Sequence, residues 1–211
     1  MTNVRDDHTV VEALELGLLE SPVMAVFRGL SPADTVRLAH RAWDIGCAHV
    51  EVPIESAVAI PSLCAAIAAG RERGKVVGAG TIVDADQLHE VAGLGAAYLV
   101  SPGLDPTIVA LAAERGLPLL PGVATPSELL LARRLGFRWV KAFPASVLGT
   151  GWFSAMRGPF PTMNIVATGG MDAGNAGAFL AAGARVVGVG TALADDRQLS
   201  ILESLVSSTT T

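Results

Sequence analysis

Asn164 to Asn175 reads NIVATGGMDAGN, an apolar run followed by two glycines and then an aspartate placed to cap a helix. A short apolar run without polar alternation is what a strand buried on both faces requires. Asp172 is a good N-cap type, because its carboxylate accepts backbone N–H groups that the first helical turn leaves unpaired. Strand, tight turn and helix in that order make the unit of a parallel sheet whose strands are joined by helical crossovers.

Outward from this unit the pattern recurs. Further strand candidates are Pro22 to Phe27, His49 to Pro53, Lys75 to Ala79, Ala97 to Val100, Leu117 to Leu120, Trp139 to Lys141 and Arg185 to Val189, with Asn164 to Ala167 completing eight. Helical patterns between them open at Ser31-Pro32, Ser56, Asp84, Asp105-Pro106, Thr125-Pro126 and Asp172, each a capping residue or a capping residue with proline in the first turn. The spacing from strand to strand is about 20 to 27 residues, enough for one strand and one helix. Eight such units predict an α/β fold, a parallel (β/α)8 TIM barrel. Val10 to Leu19 has helical spacing before any strand and reads as an extra N-terminal helix capping one end. A doubly wound open sheet is the alternative, but GAGT at Gly78 to Thr81 is too short to be a dinucleotide-binding fingerprint.

The 211 residues suit a single domain, 1–211, and no polar segment reads as a linker. Hydrophobic residues make up 51% and charged residues 17%, with a net charge of −5 and no basic run, which argues against a nucleic-acid surface. No apolar stretch reaches the roughly 18 residues of a membrane span. Cys47 and Cys64 are the only cysteines, both in apolar contexts, and no stretch before them resembles a secretion signal. A reducing cytoplasm is the expected compartment.

Within this frame RWVKAFPA, Arg138 to Ala145, stands out. Lysine occurs only at positions 75 and 141. Strand alternation sends Lys141 to the same face as Trp139 and Phe143. Withdrawing an amine from water disfavours its charged form, and a neutral amine is a nucleophile. The structural alternative is a lysine that snorkels to water or pairs with a carboxylate.

In a barrel of this type chemistry sits at the C-terminal ends of the strands. Those ends carry Arg28, Glu51, Thr81, Lys141, Thr168 and two glycine-rich turns, TGG at Thr168 to Gly170 and GVGT at Gly188 to Thr191. Glu51 in HVEVPIES alternates with His49 and Pro53, so it points into the barrel, where a carboxylate is costly unless paired or used. Its candidate role is general acid and base beside Lys141; the alternative is a buried ion pair without chemistry. His49, one layer deeper, reads as a core imidazole. The glycine turns let backbone N–H groups approach an anion at a helix N-terminus, and paired turns after the last two strands suit a phosphate. Four histidines place at most one near the rim, too few for a metal site.

GAGT at Gly78, SPG at Ser101, PG.AT at Pro121, VKAFPAS around Lys141 and ATGG at Ala167 resemble, in order and spacing, the bacterial 2-keto-3-deoxy-6-phosphogluconate aldolase family, which includes phosphogalactonate and 4-hydroxy-2-oxoglutarate aldolases. The resemblance implies a class I aldolase without metal or cofactor, a homotrimer, acting on a phosphorylated keto acid to release pyruvate. It implies Lys141 as the Schiff-base lysine and Glu51 as the acid and base. Thr81 and Thr168 would be substrate-binding threonines, acting with Arg28 on the substrate carboxylate, and Gly169, Gly170, Gly190 and Thr191 the phosphate-binding group. One departure matters. Phosphogluconate enzymes carry arginine four residues after the glutamate, where this chain has Glu55. VEVPIES instead resembles the phosphogalactonate branch, in which an arginine after strand 1 binds the substrate carboxylate; here that is Arg28. The alternatives are a phosphate-binding isomerase or epimerase barrel, with Lys141 as an electrostatic stabiliser, and a 4-hydroxy-2-oxoglutarate aldolase acting on an unphosphorylated keto acid.

Overall fold

A computed structural model describes residues 20–208; the helix expected over Val10 to Leu19 and the end of the SSTTT tail lie outside the described residues. The strands are β1 (Val23–Val26), β2 (Val50–Pro53), β3 (Val77–Gly80), β4 (Leu99–Val100), β5 (Leu119–Leu120), β6 (Gly122–Val123), β7 (Trp139–Ala142), β8 (Asn164–Thr168) and β9 (Val186–Val189). All pairings are parallel, and the sheet order is β5-β4-β3-β2-β1-β9-β8-β7-β6.

The two ends of that order, β5 and β6, are consecutive in sequence, so the sheet closes on itself. Eight staves were expected and nine segments are found because the fifth is broken at Pro121, which has no N–H for the ladder. Its carbonyl still accepts from the Lys141 N–H at 2.8 Å. Leu119 and Leu120 pair with β4, while Gly122 and Val123 pair with β7. The molecule is a parallel (β/α)8 barrel.

The helices are α1 (Pro32–Asp44), α2 (Ile60–Glu72), α3 (Ala85–Leu94), α4 (Pro106–Glu114), α5 (Pro126–Arg134), α6 (Ala145–Arg157), α7 (Ala173–Ala182) and α8 (Asp196–Ser207). Ser31, Asp84, Asp105, Thr125 and Asp172 all cap helices through their side chains. Ser56 precedes only a short 3-10 turn and makes no such bond. Two helices lay outside the cap reading. α8 opens on Asp195, whose carboxylate accepts from Arg197 and Gln198. α6 follows Pro144, has no side-chain cap, and is interrupted at Gly149, where φ is +73°.

Two layers of apolar side chains hold this together. Met24, Tyr98, Val100, Leu120, Trp139, Val166 and Val186 fill the barrel interior. A larger cluster lies between the staves and the helices, with Leu38, Ala39, Ala42 and Trp43 of α1 as one of its faces. Both cysteines are unpaired, and they separate: Cys47 is buried, whereas Cys64 is exposed on α2. No described helix is long and apolar enough to cross a membrane.

Candidate active site

β2 and β7 are four staves apart whichever way the ring is counted, so they face each other across the barrel. Trp139 belongs to the interior cluster, and Lys141, two residues on, points the same way. Lys141 is 4% exposed, and its Nζ lies 5.1 Å from the centre of the Phe143 ring. On the opposite stave Glu51 is fully buried. Among the described residues neither Glu51 oxygen has a hydrogen-bond partner, and no ion pair joins it to Lys141. The amine and the carboxylate thus both lie in the barrel interior with no ion pair between them.

Room for that carboxylate comes from β3, whose sequence is VGAG. Gly78 and Gly80 point inward. A Cβ on Gly80 would fall on Glu51 Oε1 and lie 2.5 Å from its Cδ. A Cβ on Gly78 would strike the Tyr98 ring, with Cδ2 at 2.5 Å. The GAGT stretch is therefore a relief cut into the wall, one step for a phenol and one for a carboxylate. Tyr98, the single tyrosine of the chain, went unread in the sequence. It donates from its hydroxyl to the Val50 carbonyl at 2.7 Å and stands edge-on to buried His49, ring centres 5.1 Å apart. Burial, and after it the charge of Glu51, push the Tyr98 phenol well above its ordinary range, against a smaller opposing effect from the Gly78 backbone. It remains a donor.

Three adjacent stave ends build a second group. Arg28 follows β1, Glu55 lies just beyond β2, and Thr81 follows β3. Arg28 donates through one terminal nitrogen to Thr81 Oγ1 at 3.0 Å and through the other to Glu55 Oε2 at 3.3 Å. Thr81 is the one non-glycine among the described residues with positive φ, +64°. A β-branched residue in that region is strained, and such strain collects at functional sites. Arg28 and Thr81, expected to act together, do stand together; the ion pair with Glu55 was not foreseen.

Thr168 ends β8, buried, with its hydroxyl unpaired among the described residues. Beyond it Gly169 and Gly170 take φ of +90° and +75°. The register Thr168↔Gly188 between β8 and β9 brings this turn alongside Gly190 and exposed Thr191. One detail differs from expectation. The first amides of α7 are already taken: Asp172 accepts from Gly174 at 2.8 Å and Asn175 at 3.0 Å. The open edge here is made by the glycine turns and by the 3-10 turn Thr191–Ala194, which has no side-chain cap. Ser146, also unread in the sequence, packs against this edge: its N–H donates to the Gly169 carbonyl at 3.0 Å. Among the described residues no three His, Cys, Asp or Glu side chains converge as a metal cradle.

Residues 14–203 match the sequence model of the family described as KDPG and KHG aldolase. The chain belongs to this family. A probable 2-dehydro-3-deoxy-6-phosphogalactonate aldolase of Rhizobium meliloti (strain 1021) is 33% identical over 184 residues, 87% of this chain and 86% of the relative. A 2-dehydro-3-deoxy-phosphogluconate aldolase of Treponema pallidum (strain Nichols) is 35% identical over 176 residues, 82% of this chain and 80% of its own. Among solved structures, KDPG aldolase from Legionella pneumophila, holding pyruvate as a covalent carbinolamine, superposes with a TM-score of 0.77 at 28% identity, covering 92% of this chain and 96% of that one. The chain is an aldolase, a lyase of the KDPG type, and its barrel is the family's.

Proposed function

We propose that the chain is a class I aldolase that cleaves a 2-keto-3-deoxy-6-phospho sugar acid to pyruvate and glyceraldehyde 3-phosphate through a Schiff base on Lys141. The observation that carries this reading is the burial of an amine and a carboxylate on opposite staves of one barrel with no ion pair between them. Neutral Lys141 attacks the C2 ketone, and Glu51 shuttles protons as the carbinolamine loses water. The resulting protonated imine draws electrons from C3. Removal of the C4 hydroxyl proton, by Glu51 or a water on it, then breaks the C3–C4 bond. The aldehyde leaves with the phosphate. The enamine on Lys141 takes a proton at C3, and hydrolysis of the imine frees pyruvate and the amine. The imine itself is the electron sink, so the scheme calls for no metal or cofactor.

Arg28 and Thr81 orient the substrate carboxylate, for which the planar guanidinium is well shaped. Thr168 offers its unpaired hydroxyl to the substrate at the foot of the phosphate edge. Gly169, Gly170, Gly190 and Thr191 bind the phosphate, and this remote contact aligns the reacting carbons. The covalent carbinolamine of the Legionella relative is the type of adduct expected on Lys141. The reading includes a cytoplasmic homotrimer, as the family likeness implies.

Borohydride reduction in the presence of pyruvate, followed by peptide mass mapping, tests the scheme. A reduced pyruvyl adduct on Lys141, lost in Lys141→Met, is expected; an unmodified lysine overturns the Schiff base and leaves the isomerase alternative. Relatives carry both phosphogalactonate and phosphogluconate names, so cleavage rates for the two acids and for an unphosphorylated keto acid assign the substrate. An unphosphorylated acid turned over equally well would remove the role given to the glycine turns.

A further inference from the structure

Glu55 holds the guanidinium that the proposed function gives to the substrate. Its Oε2 lies 3.3 Å from one terminal nitrogen of Arg28, while Thr81 takes the other nitrogen at 3.0 Å. Both partners are accessible, Arg28 at 49% and Glu55 at 37% of the side chain. An ion pair so open to water is weak and exchanges readily. Orientation of the guanidinium does not depend on it, because the Thr81 hydroxyl already fixes one edge. What Glu55 adds is a negative charge at the place a carboxylate ligand must occupy.

Resting on the proposed function, we propose that Glu55 is a positioning residue that acts on Arg28 as an internal competitor. Its carboxylate occupies Arg28 in the empty site, is displaced when a keto acid binds, and returns as pyruvate leaves. Affinity for the keto-acid carboxylate is thereby set low, which favours release of pyruvate, whose carboxylate is its only charge. Competition between two carboxylates for one half-exposed guanidinium is enough to change a binding constant by about three- to tenfold.

Equilibrium binding of pyruvate, measured by calorimetry on the full chain, tests this. Glu55→Gln and Glu55→Ala are expected to tighten pyruvate binding about three- to tenfold, and Glu55→Asp, which keeps the charge, is expected to remain within about twofold of the parent chain. In an Arg28→Ala background the gain from Glu55→Gln should disappear, because the competition acts through that guanidinium. Unchanged or weakened binding in Glu55→Gln, or a gain that survives Arg28→Ala, overturns the inference. Borohydride capture on the same proteins separates the two readings. Capture on Lys141 without the Glu55 effect leaves the aldolase scheme standing and removes the competitor. The Glu55 effect without capture does the reverse, and a chain that binds no pyruvate removes both.

Discussion

Gly80→Ala probes the site through its packing and not through its chemistry. The added methyl would fall on Glu51 Oε1 and lie 2.5 Å from Cδ and 2.8 Å from Cγ. Carbon atoms settle at about 3.5–4.0 Å, so the overlap at Cδ is about 1 Å. Glu51 has no exposed area, and its carboxylate cannot swing into bulk water. Either the side chain turns within the barrel or β3 moves off β2. Overpacking of this kind costs about 1–3 kcal/mol. The gain from replacing glycine in the unfolded chain, about 0.4–1 kcal/mol, offsets part of it. A displacement of about 1 Å at a reacting group lowers turnover on the order of 100-fold, so kcat for aldol cleavage is expected to fall by that factor while urea melts show a smaller loss. Glu51→Ala makes room for the methyl and should remove the stability cost of Gly80→Ala, whereas Glu51→Gln, of equal size, should not. A Gly80→Ala protein with parental kcat, or a cost that persists beside Glu51→Ala, refutes the placement of the carboxylate over Gly80.

Three further outcomes are expected. Gly170→Ala puts a methyl against Ser146 Oγ, 2.7 Å from its Cβ, at a φ of +75°; it should raise KM for the phosphorylated acid about tenfold or more and leave pyruvate capture alone, as paired kinetic and borohydride assays would read. Tyr98→Phe strips the Val50 carbonyl of a buried donor and should cost about 1–3 kcal/mol in urea melts. Burial pushes the Cys47 thiol from 9.0 up to about 12. The folded state therefore holds a proton that the unfolded chain releases, so stability is intact below pH 9 and is lost as pH rises from 9 towards 12. That loss reaches up to about 4 kcal/mol, and Cys47→Ala should flatten this limb of the profile, leaving the part above pH 10 that belongs to Tyr98.

Most of the frame was legible because its signals are local. A cap such as Asp172 acts on amides two and three residues away, and a lysine two residues beyond Trp139 on an apolar strand must share its face. What escaped depends on distance or on absence. Arg28 and Glu55 are 27 residues apart, and strand register alone places them side by side. The inward glycines of β3 look like turn formers until the side chains that fill their space are known. Thr81 gives no sign of its left-handed backbone in a residue type that avoids it. In the sequence Cys64 looks like one more apolar position because α2, IPSLCAAIAAGRE, is apolar nearly all round and its exposed face is not marked by charge.

The ring order also constrains how a substrate can lie. Arg28, Glu55 and Thr81 leave the ends of β1 to β3, the glycine turns leave β8 and β9, and β9 pairs with β1, so the two arcs adjoin while Lys141 on β7 and Glu51 on β2 face each other from the two sides. Under the proposed scheme the carboxylate rests on the first arc and the phosphate on the second, and the carbons between them must arch through the space that the amine and the carboxylate share. An ammonium locked onto a carboxylate would have no lone pair to offer and would block that space. Leaving the Glu51 carboxyl buried without a hydrogen-bond partner costs several kcal/mol if it is charged, and a fold shaped for stability alone would pair it with Lys141 or replace both with leucine. The barrel instead clears β3 to glycine on one side and sets Phe143 under the amine on the other. Its stability rests on the apolar layers beneath and around the site, which leaves the mouth free to keep apart the two groups to which the proposed scheme gives the chemistry.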